Sequence, residues 1–97
     1  MGTVQTRIRI VTYQIEISNR AAKQLKKLSA DIRDRVNEKI LELAENPRPS
    51  GVVKLETTDN KYRIRVGNYR ILYEILDDVL IVKVVRVGHR RDVYRDE

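Results

Sequence analysis

The spacing of apolar positions differs between the two halves of the chain. In the first half they recur three or four residues apart, which is the spacing of one helix face. This pattern predicts a helix that begins at Ser18 or Asn19 and ends at Leu28. A second helix is predicted to begin after Ser29 and to end before Pro47, because the residue that precedes a proline is disfavoured in helical geometry. Helices joined so tightly predict a helical hairpin.

In the second half apolar and polar residues alternate, which is typical of strands that bury one face. Gly67-Asn68 and Asp77-Asp78 have the length and composition of two-residue hairpin loops. The predicted strands are residues 12–17, 52–55, 61–66, 69–76 and 79–87. The sequence therefore predicts an α+β fold in which an N-terminal helical hairpin packs on a small antiparallel β-sheet. Residues 1–97 are expected to form a single domain, in which residues 1–11 either extend the first strand or are loose.

The hairpin loops also predict which side chains share a face, because residues opposite each other on paired strands point the same way. A loop at 67–68 sets Arg65 opposite Arg70. One face then carries tyrosine and aliphatic residues and should lie on the helices: Tyr62, Ile64, Val66, Tyr69, Ile71 and Tyr73. The other face carries Arg63, Arg65 and Arg70, and a two-residue loop at 77–78 adds Leu72, Ile81, Lys83, Val85 and Val87.

The opposition of Arg65 and Arg70 has a cost, because like charges across a strand pair destabilise a sheet by up to ~1 kcal/mol. Either both side chains splay into water and cover apolar neighbours with their stems, or they form a phosphate site. The apolar residues among them, Leu72, Ile81 and Val85, indicate a face that a partner covers.

Charge and composition favour RNA as the ligand and remove several enzyme classes. The net charge is +6, and residues 61–95 hold nine Lys or Arg against four Asp or Glu, together with four of the five tyrosines. Cations interleaved with tyrosines suit phosphates and bases. The chain has no cysteine, one histidine and no P-loop. Asp77 and Asp78 are assigned to a turn, and Glu38, Glu42 and Glu45 to a solvated helix face, rather than to a metal site. No metal or cofactor is therefore predicted.

No apolar run approaches the ~18 residues of a membrane span, and the first residues do not form a signal peptide. No membrane association and a cytoplasmic location are therefore expected.

The arginines with the tail "GHRRDVYR" could cleave RNA without metal, since guanidinium groups stabilise developing phosphoryl charge. Guanidinium groups are poor proton acceptors. A proton shuttle would come from His89 or from Tyr94, which could instead stack on a base.

The strands "KYRIRVGNYRILYEI" and the ending "VGHRRDVYR", after "ENPRP" and "VKLE", resemble the RelE toxins of the RelE/ParE superfamily, roughly from Tyr13 to Arg95. The resemblance implies a toxin that enters the ribosomal A site on the small subunit and cuts mRNA by 2′-hydroxyl attack. It also implies a RelB-like antitoxin that wraps the toxin, with DNA contacted only through the antitoxin. The family fold agrees with the predicted one.

Carried over by position, the family's site residues fall on Arg63, Arg65, Arg70, Arg90 and Tyr94. The best-known member has lysines where this chain has Arg63 and Arg65, so the identity of the general base is open between Tyr94 and His89. Further RNA contacts are expected from four other cations of the sheet and tail, which are Lys61, Lys83, Arg91 and Arg95.

Two alternatives remain at this point. A ParE-like gyrase poison has the same fold and an antitoxin, but its sheet does not need the tail, so Arg90 with Tyr94 favours the nuclease. A non-catalytic RNA-binding module would bind ribosomes without cutting message.

Overall fold

The computed structural model describes residues 12–55, 60–89 and 91. The elements in chain order are β1 (Gln14–Ile17), α1 (Asn19–Lys26), α2 (Ala30–Glu45), β2 (Val53–Lys54), β3 (Lys61–Val66), β4 (Tyr69–Leu76) and β5 (Ile81–His89). Four predicted features lie outside the described residues: the segment 1–11, Arg90, Tyr94 and Arg95. Neither described helix is long and apolar enough to cross a membrane.

Serine residues begin both helices, as predicted. The Ser18 hydroxyl accepts a hydrogen bond from the backbone N–H of Ala21 at 3.1 Å, which satisfies a donor of the first turn of α1. The same hydroxyl donates to the carbonyl oxygen of Val85 at 3.1 Å, so the start of α1 is tied to β5. Ser29 precedes α2, which ends at Glu45, two residues before Pro47.

Within the described residues one five-stranded sheet has the order β1-β5-β4-β3-β2. The pairs β2–β3, β3–β4 and β4–β5 are antiparallel, as predicted. β1 instead runs parallel to β5, so the sheet is mixed rather than purely antiparallel. A parallel pair needs a long connection, and here all the intervening elements provide it.

The two helices cover one face of the sheet, and four of the six residues predicted for that face are buried in the core. Val66 is partly buried against it, and Tyr69 is half-buried outside it. Tyr73 and Ile71 have no exposed surface, and Tyr62 and Ile64 are buried beside them. From the helices the core receives Ala21, Leu25, Val36, Ile40 and Leu43. The predicted fold class, a helical hairpin on a small sheet, is confirmed.

The predicted two-residue loop at Asp77-Asp78 is wrong. Leu76 pairs with Ile81, so the turn holds four residues, and Leu80 adopts a positive φ of 55° within it. The carbonyl oxygen of Leu80 accepts a hydrogen bond from the N–H of Gln14 at 2.8 Å, so the longer turn also receives the start of β1. The sequence signal for a turn lay at the two aspartates, while Val79 and Leu80 looked like the start of a strand.

The prediction that Val87 lies on the arginine face is also wrong, because β5 contains a bulge. Tyr73 pairs with Val84, but Leu72 pairs with Arg86, so one extra residue stands in β5. A one-residue shift reverses the faces of every later residue. Val87 is therefore buried in the core, 1% exposed, while Arg86 joins the arginine face.

A polar cluster joins three loops at one end of the sheet. Arg48 forms a bidentate ion pair with Asp77, at 2.8 Å from Nη2 to Oδ2 and 3.3 Å from Nη1 to Oδ1. The hydroxyl of Tyr13 donates to the same carboxylate at 2.7 Å. Hydrogen bonds from Arg48 and Tyr13 hold the pKa of Asp77 below its usual value and, in turn, the bond to Asp77 raises the pKa of Tyr13.

Residues of the same cluster and of the sheet also fix the connector between α2 and β2. The Arg48 guanidinium lies over the ring of Tyr62, 5.3 Å from its centroid, and Nε donates to the Tyr62 hydroxyl at 3.3 Å. The hydroxyl of Tyr73 donates to the carbonyl oxygen of Pro47 at 2.7 Å, and burial raises the pKa of Tyr73. These contacts fix the segment that leads to Gly51 and Val53.

Replacing Asp77 by Asn is expected to lower the melting temperature at neutral pH, because the amide loses the ion pair with Arg48. A group with a lowered folded pKa stabilises above its unfolded pKa of about 3.9 and loses that effect as pH falls through the folded value. The difference from wild type should therefore close in acid. Thermal unfolding followed by circular dichroism across pH measures it. Asp78→Asn, the neighbouring carboxylate, is the control, and an equal loss there would contradict the assignment.

Candidate active site

Three arginines meet at one cavity on the sheet face that the helices leave open. Arg63 and Arg65 alternate along β3, and Arg70 pairs directly with Arg65. The cavity measures about 260 Å³ and is lined by Gly51, Val53 and the three arginines. The register predicted from the Gly67-Asn68 loop is confirmed, and it is the reason that these cations are neighbours.

Two lining residues, Gly51 and Val53, were not among the predicted site residues. Val53 pairs with Arg63, so it shares the arginine face and forms a wall. Gly51 has a φ of +87°, a conformation that side-chain-bearing residues rarely adopt. A glycine before a short strand was the available sequence signal for these two residues. The sequence alone did not predict that β2 would pair with β3.

Arg70 has the most unusual environment of the three. Its Nη1 atom is buried and has no hydrogen-bond partner among the described residues. A buried guanidinium N–H without an acceptor loses its hydration and gains nothing in exchange, at a cost of about 1–3 kcal/mol. Guanidinium forks match the oxygens of phosphate groups. The arrangement is therefore suited to an anion held between Arg70 and the arginines of β3.

The residue opposite Arg70 on β5 is Gly88, which has no side chain. A glycine inside a strand often marks a place where a ligand or another backbone comes close. The paired position of β5 therefore places no side chain beside Arg70.

His89 does not share the face of the arginines. It pairs with Tyr69, and both belong to the helix side of the sheet. The two rings meet edge to face at 5.5 Å between centroids. The Nδ1 atom accepts a hydrogen bond from the N–H of Arg91 at 3.3 Å, so in the neutral ring the proton sits on Nε2. The backbone of the sheet thus lies between the imidazole and the arginine cavity.

The other described residues of the predicted site lie at three places outside the arginine cavity. Lys61, Lys83, Leu72 and Val85 line a second, larger cavity on the same open face. Ile81 is half-buried on that face, outside the lining residues, and Arg91 is exposed beyond the end of β5.

Two further cations of the second cavity, Arg20 and Arg86, were missed. The signal for Arg86 was present: polar residues in β5 stand three apart, at Lys83 and Arg86, where strict alternation requires two. That spacing marks the bulge. No signal placed Arg20, because its position depends on how α1 packs beside β5.

Comparison with known proteins places the chain in a toxin family. Residues 15–94 match the family described as ParE toxin of type II toxin-antitoxin system, parDE. The mRNA interferase toxin RelE of Escherichia coli strain K12 is 30% identical over 90 residues, which cover 89% of this chain and 94% of the relative. Toxin RelG of Mycobacterium tuberculosis is 32% identical over 84 residues, 86% of this chain and 97% of the relative.

Solved structures agree. RelE in the Pyrococcus horikoshii RelE–RelB complex superposes with a TM-score of 0.75 at 29% identity, over 84% of this chain and 99% of that one. The intact E. coli RelBE toxin–antitoxin complex matches with a TM-score of 0.71 at 30% identity, over 79% of this chain and 95% of that one. The protein is a toxin of the RelE/ParE superfamily. Within it, the chain belongs to the RelE family.

Replacing Arg70 by Leu should leave the fold intact and raise its stability by about 1 kcal/mol or more, because both the repulsion with Arg65 and the unsatisfied Nη1 donor are removed. Urea unfolding measures this change. Arg65→Leu is the matched variant: it relieves the same repulsion but leaves Nη1 of Arg70 without a partner, so its gain should be smaller. A loss of stability in Arg70→Leu would mean that the guanidinium is a structural group.

Proposed function

We propose that this chain is the toxin of a type II toxin–antitoxin system and an mRNA interferase that cuts message in the ribosomal A site. The observation that carries the proposal is the buried Nη1 of Arg70, which faces no acceptor among the described residues while two more arginines share its cavity. Such an arrangement costs stability, and a phosphate in the cavity offsets that cost. Its membership of the RelE family supports mRNA as the source of that phosphate.

The proposed reaction is an in-line transfer within the RNA. The 2′-oxygen forms a bond to the adjacent phosphorus, the bond from phosphorus to the 5′-oxygen breaks, and a cyclic phosphate remains. Negative charge develops on the phosphoryl oxygens, and Arg63, Arg65 and Arg70 stabilise it. Arg90 is proposed to assist the leaving 5′-oxygen electrostatically. No step requires a metal ion or cofactor.

Proton transfer is the step that the arginines cannot perform, because guanidinium stays protonated. We assign removal of the 2′-hydroxyl proton to Tyr94 rather than to His89, and the leaving 5′-oxygen takes up a proton from water. The reason is the position of His89, whose ring packs on Tyr69 on the helix side of the sheet. Tyr94 lies outside the described residues, and its role rests on the family resemblance of the tail.

Four further cations extend the contact with RNA beyond the reacting phosphate. Lys61 and Lys83 lie on the open face, and Arg91 and Arg95 belong to the tail. The ribosome is proposed to supply the geometry of the message in the A site, so cleavage of free RNA should be slow. A ribosomal target places the activity in the cytoplasm.

A RelB-like antitoxin is the proposed protein partner. Relatives have been solved as RelE–RelB complexes, and the open face of this chain carries apolar side chains between its cations. Ile81 and Val85 are the proposed contacts, whereas Leu72, predicted as a third, is only 2% exposed and already covered within the chain. An antitoxin bound to this face would cover the surface that binds the message. The toxin would contact DNA only through the antitoxin.

Primer extension on message translated with the purified protein should show cuts at A-site codons, and free RNA should stay largely intact. Arg70→Ala should slow cleavage by about 10²-fold or more, since removing one donor to a developing oxyanion costs about that much. Arg33→Ala, which removes a cation from α2, is the control and should cleave normally.

Equal cleavage of free and ribosome-bound RNA would contradict the A-site proposal. Gyrase supercoiling assayed with the same preparation tests the alternative: inhibition of gyrase without cuts in message would identify a ParE-like poison. Ribosome binding without either effect would identify a non-catalytic module.

Tyr94→Phe and His89→Gln separate the two candidate proton shuttles. If the Tyr94 hydroxyl moves the proton, Tyr94→Phe should lower the single-turnover cleavage rate by about 10²-fold. His89→Gln should change that rate little, because its side chain faces away from the arginines. A large loss in His89→Gln with normal folding would overturn this assignment.

A further inference from the structure

The larger cavity of the open face measures about 580 Å³ and is strongly basic. Its cations come from three elements: Arg20 in α1, Lys61 in β3, and Lys83 and Arg86 in β5. Among the described residues that line it, none is acidic. Glu74 stands between Lys61 and Lys83 in the strand register but does not line the cavity.

Two local features build this concentration of charge. The bulge in β5 turns Arg86 to the open face, where regular alternation would have buried it. The bond from the Ser18 hydroxyl to the carbonyl oxygen of Val85 anchors the first turn of α1 against the bulge, which brings Arg20 to the same cavity.

The second cavity adjoins the arginine cavity across a single residue. Leu72 in β4 pairs with Arg63 on one side and with Arg86 on the other. Neighbouring strands are about 4.8 Å apart, so the backbones at Arg63 and Arg86 are separated by roughly 10 Å. A chain of phosphates that leaves the first cavity can therefore reach the second without leaving the sheet face.

The lining indicates which part of a nucleic acid would be recognised. Both tyrosines that border the cavity are buried, with Tyr62 only 6% and Tyr73 0% exposed. Among the described lining residues no ring is open for base stacking, while four side chains carry the positive charge that suits phosphates. Contacts of this kind follow the backbone and carry little sequence information.

We propose that the cavity of Arg20, Lys61, Lys83 and Arg86 is a second phosphate subsite, which holds the backbone of the single-stranded message next to the reacting nucleotides. This inference rests on the proposed nuclease function and extends it. The subsite contributes affinity without base preference, and the arginine cavity performs the chemistry. Lys61 and Lys83 thus act together with Arg20 and Arg86 as one site.

Binding of uncleavable RNA tests the subsite without any cleavage. The probes are a trinucleotide and a strand of about 12 nucleotides, 2′-O-methylated throughout, and the readout is fluorescence anisotropy. Wild type should bind the long probe more tightly, with a steeper salt dependence. Lys83→Gln/Arg86→Gln should weaken long-probe binding roughly tenfold and reduce the salt slope by about 1.4, which is about 0.7 per cation. Trinucleotide binding should stay unchanged.

Lys23→Gln/Lys26→Gln is the matched control, since it removes the same net charge from exposed positions of α1. An equal loss of long-probe affinity in this control would show that only net charge matters and would overturn the proposal. So would an unchanged affinity in Lys83→Gln/Arg86→Gln. Poly-L-glutamate is titrated in parallel: binding that depends on Lys83 and Arg86 while RNA binding does not would identify an acidic protein surface instead.

A measurement on the wild-type protein covers the case in which the double variant does not fold. A long probe that carries one photo-crosslinking thiouridine should attach to peptides of β3, β5 or the start of α1 that border the cavity, and attachment confined to α2 would overturn the subsite. Failure of this inference is distinct from failure of the proposed function. Message cleavage with no gain in affinity from strand length would remove only the second subsite, whereas length-dependent binding without cleavage would remove only the nuclease.

Discussion

The register between β3 and β4 is the constraint on which the rest of the molecule depends. It is set by the two-residue turn at Gly67-Asn68, where Gly67 has a φ of +59°. A glycine at the first central position permits this tight turn, and the turn leaves no freedom in pairing. Once Arg65 stands opposite Arg70, the tyrosine and isoleucine side chains fall on the helix side and the arginines on the other.

That division gives each face a separate task. The covered face supplies the stability, with Tyr73, Ile71 and three valines of β5, Val82, Val84 and Val87, buried against the two helices. The open face destabilises the fold, because Arg65 and Arg70 are like charges in register and a buried donor on Arg70 has no acceptor among the described residues. Features that weaken a fold tend to persist where a function requires them.

The bulge in β5 connects the stable face to the functional one. By inserting Val85 it buries Val87 and exposes Arg86 to the open side, and the carbonyl oxygen of Val85 also receives the hydroxyl of Ser18. One irregularity therefore closes the core, anchors α1 and completes the second basic cavity. It also explains how a short domain with a single sheet can offer a continuous cationic surface wider than three arginines.

The sequence by itself determined the helical hairpin, the three long strands, the Arg65–Arg70 opposition and the resemblance to RelE toxins. The structural features follow from local chemistry, which is apolar spacing, serine caps, a proline that ends a helix and a glycine turn. The resemblance rests on the strand and tail motifs. Tertiary structure decided the parallel pairing of β1 with β5, the four-residue turn after β4, the bulge, and with them the positions of Arg20, Arg86 and His89. Each of these depends on which backbone groups meet across the sheet, and such contacts between distant segments leave only a faint trace in a local pattern.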